Sequence, residues 1–258
     1  MLKKFKAAKA EEIERLGRLE REKAMPPPYA GQRPVFSKAL KAQGPGAVIA
    51  EYKRASPSKG EINTSLSPGE VAVQYATAGA AALSVLTEES YFKGRLDFLE
   101  AMTGPGLPLL RKDFIFHPLQ IRRTAASSAS AVLLIVRMLK NTNQLRELLT
   151  LTLDLDLEAV VEVFDENDLE KACRAGAKII QVNNRNLATL DVDLAVSRRM
   201  IEKKQAHELW ISASGIKTGA DIAELAGMGF DAVLIGTSLM AQGTPGKALL
   251  KMIREART

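Results

Sequence analysis

Eight short runs rich in valine, isoleucine and leucine recur along this chain, each followed by a helical stretch. They are Ala47–Lys53, Ala81–Leu86, Leu107–Lys112, Ala131–Val136, Leu157–Val163, Lys178–Asn183, Glu208–Ser212 and Asp231–Gly236. Each has strand length and is bounded by a breaker or a polar residue. Their near-continuous apolar character suits parallel strands buried on both faces. The segments between them carry helix signals, such as the early proline of Pro68–Ala78 and the periodic stretch Thr218–Met228. Eight β-α units predict an α/β chain folded as a (β/α)8 TIM barrel. The alternative is a doubly wound open sheet. That fold usually carries a glycine-rich dinucleotide turn after its first strand, and no G-x-G-x-x-G occurs here. Gly243-Thr244-Pro245-Gly246-Lys247 is a phosphate loop in outline only, because its spacing is too short and Ala248 replaces the magnesium-binding hydroxyl.

The 258 residues then read as one domain, residues 1–258, of which 1–46 form an N-terminal helical extension. Residues 1 to about 24 predict a charged amphipathic helix with a partial apolar stripe of Phe5, Ile13, Leu16 and Leu19. This segment holds eight basic and five acidic residues, half of the chain's net charge of +6, and its charges read as a solvated helix face. Pro26-Pro27-Pro28 stops the helix, and a short second one around Phe36 to Ala42 ends at Gly44-Pro45-Gly46.

Several functional classes are excluded early. Cys173 is the only cysteine, so there is no intramolecular disulfide and no cysteine-based zinc cluster, and a cytoplasmic location is expected. His117 and His207 lack metal-ligand spacing, so no metal and no cofactor are expected. No apolar h-region follows Met1-Leu2-Lys3-Lys4, and no apolar run approaches the roughly 18 residues of a membrane span. The positive net charge permits an anionic partner: nucleic acid, an acidic membrane or a phosphorylated metabolite. No nucleic-acid module or interleaved basic–aromatic run is present, which favours the small molecule. A monomer is expected, with no second enzyme fused to it.

Charges at the C-terminal ends of the runs carry the chemistry, because barrel active sites form there. The first run ends with Glu51 and Lys53, which share one side of a strand. The third ends Arg111-Lys112-Asp113-Phe114, the fifth carries Glu162, the sixth Asn183, and the seventh Ser212 and Ser214. Placed on one rim they form a ring of lysines, carboxylates and an amide suited to general acid/base work. Repulsion and desolvation can depress the pKa of clustered lysines, and nearby carboxylates oppose that shift. A phosphate site is readable separately in Ser212-Ala213-Ser214-Gly215-Ile216 and Ile235-Gly236-Thr237-Ser238, the loops after the last two runs. Arg54 to Gly60 adds hydroxyl and cationic groups.

Taken together these segments resemble the indole-3-glycerol-phosphate synthases of tryptophan biosynthesis. The resemblance rests on Ala50-Glu51-Tyr52-Lys53-Arg54-Ala55-Ser56-Pro57-Ser58-Lys59-Gly60, on Ser84 to Glu89 with Tyr91-Phe92-Lys93-Gly94, and on Leu109 to Phe114. Val161-Glu162-Val163, Asn183-Asn184-Arg185-Asn186-Leu187 and Leu234-Ile235-Gly236 continue it in order. It covers almost the whole chain and implies a cofactor-free carboxy-lyase. Such an enzyme converts 1-(o-carboxyphenylamino)-1-deoxyribulose 5-phosphate to indole-3-glycerol phosphate, carbon dioxide and water.

The resemblance also implies residue roles. Lys112 matches the general acid and Lys53 the lysine that pairs with the anthranilate carboxylate and acts in dehydration. Glu51 and Glu162 match carboxylates that stabilise a cationic intermediate or move protons. Asn183 would orient substrate hydroxyls and Arg185 would support the carboxylates. Ser56, Ser214, Gly215, Gly236 and Thr237 fall on phosphate-binding positions. Phe92 and Phe114 are candidates for the anthranilate ring, with core packing as the competing role. The chain departs from the family pattern at Ala213, where a glutamate is usual, at Gln181, where glycine is usual, and at Ser128 and Ser130. Ala213 motivates a second reading, an inactive or altered barrel that binds a sugar phosphate.

Overall fold

The computed structural model describes residues 2–186 and 189–258; Met1 and Leu187, quoted above, lie outside the described residues. Every predicted run coincides with one barrel strand, the seventh strand reaching one residue past its run, to Ala213. The strands are β1 (Ala47–Tyr52), β2 (Ala82–Leu86), β3 (Leu109–Lys112), β4 (Ala131–Ile135), β5 (Glu158–Val163), β6 (Ile179–Asn183), β7 (Leu209–Ala213) and β8 (Ala232–Ile235). They pair in parallel, each with its sequence neighbour, and β8 pairs with β1 to close the barrel. Helices alternate with the strands, as the predicted α/β pattern requires.

The period-two alternation of each strand builds two cores. Ile49, Leu110, Leu133, Val160, Ile211 and Leu234 point into the barrel, whereas Val48, Leu83, Val132, Val161, Trp210 and Val233 pack against the helix layer. All twelve are buried, and each contributes roughly 1.5–3 kcal/mol of transfer free energy. Helix entry follows the local sequence. Ser67 and Glu70 form a capping box around Pro68, and Thr218 with Asp221 caps the helix Gly219–Gly227. His117 is likewise absorbed as a cap, its ring accepting from the Leu119 N–H.

The N-terminal segment departs from its expected form in two ways. The predicted single helix breaks at Lys9 into α1 (Leu2–Ala8) and α2 (Ala10–Arg21). The charges do not lie on a solvated face alone, because Phe5, Lys9 and Leu16 are buried. The third helix, α3 (Phe36–Gln43), packs Phe36 and Leu40 into the inner core beside Ala47 and Ala82, the first residues of β1 and β2. The Ser37 N–H also donates to Glu158 Oε2 at the start of β5, so α3 plugs the N-terminal end of the barrel. A short hairpin of Ala55–Ser56 and Gly60–Glu61 after β1 was not foreseen; Gly60 turns it at a φ of +64°.

Candidate active site

Glu51 is the hub of the C-terminal rim. Its carboxylate is 2% exposed and faces into the barrel from β1. Lys53 Nζ donates to Glu51 Oε1 at 2.6 Å, and Lys112 Nζ at the end of β3 lies 3.5 Å from Oε2. Ser84 Oγ from β2 donates to Oε2 at 3.3 Å. A Cβ placed on Gly236 would stand 2.3 Å from Glu51 Oε1, so the close approach of this carboxylate requires glycine there.

Glu162 faces inward from β5 and forms the second half of the cluster. Gln181 Nε2 donates to its Oε2 at 2.5 Å, and the Asn183 amide, which lines the same cavity, lowers its pKa from close by. Asn183 Oδ1 accepts the Arg185 backbone N–H at 3.0 Å, which fixes the amide with its NH2 toward Glu162. Arg185 Nη1 donates to the Leu190 carbonyl at 2.8 Å. Its guanidinium feels Glu51 electrostatically and is otherwise anchored to its own loop.

The electrostatics separate the two carboxylates. Burial opposes ionisation of Glu51, but Lys53 and Lys112 outweigh it and hold the carboxyl down at about 2. Burial also raises Glu162, and here Lys112 and the two amides do not cancel it, so this carboxyl stays above its ordinary range. The expected depression of clustered lysines fails for Lys112. Burial pulls its pKa down, yet Glu51 and Glu162 more than compensate and leave it raised. Counter-charge outweighs like-charge repulsion because the nearest partner of each lysine is a carboxylate.

These groups line a cavity of about 110 Å³. Lys53, Lys112, Glu162, Asn183 and Arg185 form its polar wall, with Ser56, Ser58, Ser214 and Thr237 as a hydroxyl side. Phe92 and Phe114 line it with Phe5, Leu133 and Ile135. Phe5 stacks on Phe114 with ring centroids 4.0 Å apart, while Phe92 sits 6.1 Å from Phe114. Phe92 and Phe114 thus line the cavity and also pack against neighbouring rings. Ser214 and Gly215 adopt consecutive left-handed conformations, φ +69° and +91°, which turn this loop sharply. A side chain at Gly215 would collide with Val192 Cγ1 at 2.6 Å. Gly215 and Gly236 shape the wall from behind, whereas Ser56, Ser214 and Thr237 face the space.

Three residues expected on the rim turn away from it. Ser212 bonds Ser197 Oγ at 2.8 Å and Asn184 Nδ2 at 3.1 Å in the helix layer. Arg111 and Asp113 point to the N-terminal helices. Sequence reasoning missed Phe5, Ser58 and the contact of Gln181 with Glu162. The signal for Phe5 was a lone aromatic on the apolar stripe of a charged helix.

The chain is thus a parallel (β/α)8 barrel with lysines and carboxylates converging at the C-terminal ends of its strands, the place where the active sites of barrel enzymes form. A family model described as indole-3-glycerol phosphate synthase matches residues 2–252. The chain belongs to the indole-3-glycerol phosphate synthase family. It is 45% identical over 222 residues to the indole-3-glycerol phosphate synthase of Desulfosudis oleivorans, covering 84% of each chain. It is 41% identical over 235 residues to that of Mycolicibacterium smegmatis, covering 91% of this chain and 84% of the relative. Among solved structures, a 3-hexulose-6-phosphate synthase from Salmonella typhimurium superposes with a TM-score of 0.63 at 14% identity, covering 81% of this chain and 97% of that one. That likeness concerns the fold alone.

Proposed function

We propose that this chain is a carboxy-lyase that closes the indole ring of 1-(o-carboxyphenylamino)-1-deoxyribulose 5-phosphate. The observation that carries this reading is the cluster of Lys53 and Lys112 on ionised Glu51, facing Glu162 across one cavity. Lys112 stays protonated and donates to the ketose carbonyl oxygen as the aromatic carbon bonds to the carbonyl carbon. Carbon dioxide then leaves the same ring carbon, its bonding electrons restoring the benzene ring, and the new hydroxyl leaves as water with a proton from the neighbouring N-bound carbon to complete the pyrrole. Lys53 holds the anthranilate carboxylate and assists the dehydration. Glu51, held near pKa 2, acts as a permanent anion that stabilises the cationic intermediate. Glu162, shifted the other way, is the carboxyl suited to take and return a proton.

Ser56, Ser214 and Thr237 form the phosphate end, with Gly215 and Gly236 allowing the backbone to turn there. Phe92 and Phe114 offer an aromatic wall to the anthranilate ring. The cavity, about 110 Å³, is bounded on its open side by Phe5 and by Ser56, Pro57 and Ser58 of the hairpin. The reading as a barrel that only binds a sugar phosphate is not favoured, because the acid–base set is assembled despite Ala213. Purified protein incubated with the substrate should generate indole fluorescence and release carbon dioxide. No product at high enzyme concentration would sink the proposal.

A further inference from the structure

Two amides flank Glu162, and they are built differently. Asn183 is locked: its Oδ1 accepts the Arg185 N–H at 3.0 Å, so only its NH2 can face the carboxyl. Gln181 is fully buried, and the one hydrogen bond of its amide among the described residues runs from Nε2 to Glu162 Oε2 at 2.5 Å. Its Oε1 is buried with no partner among the described residues. A buried carbonyl without a donor is costly and calls for an explanation. The two ends of the amide have almost the same shape, so turning it over breaks no bond but the one to Glu162.

We propose that Gln181 is a positioning residue that holds Glu162 in both of its protonation states by reversing its amide. When Glu162 is ionised, Nε2 donates to it. When Glu162 gains a proton, its O–H donates to the inverted Oε1, and the Nε2 end takes the position that Oε1 left. Asn183 cannot follow, because inversion would set its NH2 against the Arg185 N–H. The charged groups facing Glu162 are Lys112 from β3 and Glu51 from β1; β6 offers only the neutral amides of Gln181 and Asn183. Burial raises the Glu162 carboxyl above its ordinary value, a direction that agrees with this geometry.

The inference rests on the synthase reading and on Glu162 as its proton carrier. Gln181→Met preserves shape but neither donates nor accepts. It should lower kcat about ten- to hundredfold with KM within about threefold, because a loosened group misplaces the reacting proton. Losing the donor also shifts the Glu162 limb of the kcat–pH profile upward. Gln181→Glu is the discriminating variant. Protonated, it offers both a donor and an acceptor; ionised, it repels Glu162. Its kcat relative to wild type should recover as pH falls, whereas that of Gln181→Met should show no such recovery. A structural role alone would lower thermal stability and scale kcat equally at every pH. Wild-type turnover with kcat and pH profile unchanged in Gln181→Met overturns the inference. If that variant does not fold, a flat ratio for Gln181→Glu overturns it instead. Absence of wild-type turnover strikes the synthase reading.

Discussion

Three consecutive residues, Arg111, Lys112 and Asp113, feed two ion networks on opposite sides of one strand. Lys112 turns inward to Glu51. Arg111 and Asp113 turn outward and bind the N-terminal helices. There Lys9 bridges Asp113 at 2.6 Å and Glu12 at 2.9 Å, and Arg111 bridges Asp113 at 3.0 Å and Glu12 at 3.2 Å. Thr87 Oγ1 donates to Asp113 at 2.6 Å and accepts from Arg111 Nε at 3.1 Å. Asp113 and Glu51 are both held at about 2, each against the cost of its burial, so a displaced pKa does not tell the two networks apart. Stoichiometry and access do. The outer network balances two cations with two carboxylates, with the Arg111, Asp113 and Lys9 side chains 2%, 0% and 7% exposed and only Glu12, at 16%, reaching the surface. The inner one sets Lys53 and Lys112 on a single fully ionised carboxylate, with the lysines 14% and 19% exposed toward a cavity. The first is balanced in charge; the second leaves an excess of positive charge at its cavity, which the proposed function assigns to an anionic substrate.

The sharpest way to break this comparison is to cut each network once. Asp113→Ala leaves Lys9 and Arg111 buried without their shared carboxylate. It should cost about 3–5 kcal/mol, as loss of one partner of a buried pair does. Thermal unfolding should fall by roughly ten degrees for a chain of this size. A loss below about 1 kcal/mol would mean that the outer network is not a clamp. Lys112→Ala should behave the other way. Turnover should drop by on the order of 10² or more, as for loss of a general acid. Stability should change little, because Glu51 keeps Lys53 as its partner. A near-normal rate would remove Lys112 from the mechanism.

Acid titration links the networks. Glu51 and Asp113 are both depressed, so the stability they supply is fully present above the ordinary carboxylate values of 4.5 and 3.8 and is lost as pH falls toward about 2. Glu162 has the opposite sign: its raised carboxyl costs stability once it ionises, and acid relieves that cost. Denaturation followed from pH 5 to pH 2 should therefore show a net loss in wild type and a shallower one in Asp113→Ala. Parallel slopes would mean that Asp113 is not held ionised by its partners.

The sequence exposed the inner network far better than the outer one. Glu51, Lys53, Lys112 and Glu162 are legible because charge is anomalous at the end of a strand buried on both faces. The outer network joins Arg111 and Asp113 to residues about a hundred positions away on a helix whose charges resemble an ordinary solvated face. Nothing in the local pattern distinguishes Lys9, which is 5% exposed, from the lysines around it. The eight strands were legible because β-branched and aliphatic runs mark double-sided burial. The 55–61 hairpin was not, because two-residue strands have no periodicity to read. Gln181 stood out only as a departure from the family's usual glycine, and its partner is its register neighbour on the adjacent strand β5, which a linear sequence does not bring beside it.

The smallest expected effect concerns Ala213, which occupies the inner face of β7 in register with Asn183 and is 2% exposed. A glutamate is usual at this position in the family. Restoring it by Ala213→Glu adds a third carboxylate to a rim that now sets two lysines against ionised Glu51 and a Glu162 of raised pKa. A further anion there competes with a negatively charged substrate for those lysines, and its partial burial has a cost. Against that, the lysines can share it, since each meets Glu51 through only one of its donors. The opposing contributions leave about 1 kcal/mol or less, a change of roughly fivefold or less in KM with kcat nearly intact. Steady-state kinetics on the folded variant measure it. A gain in kcat of tenfold or more would mean instead that the inner network lacks a proton carrier, and that its two-to-one balance of cations over ionised carboxylate is a deficit rather than a reserve for the guest.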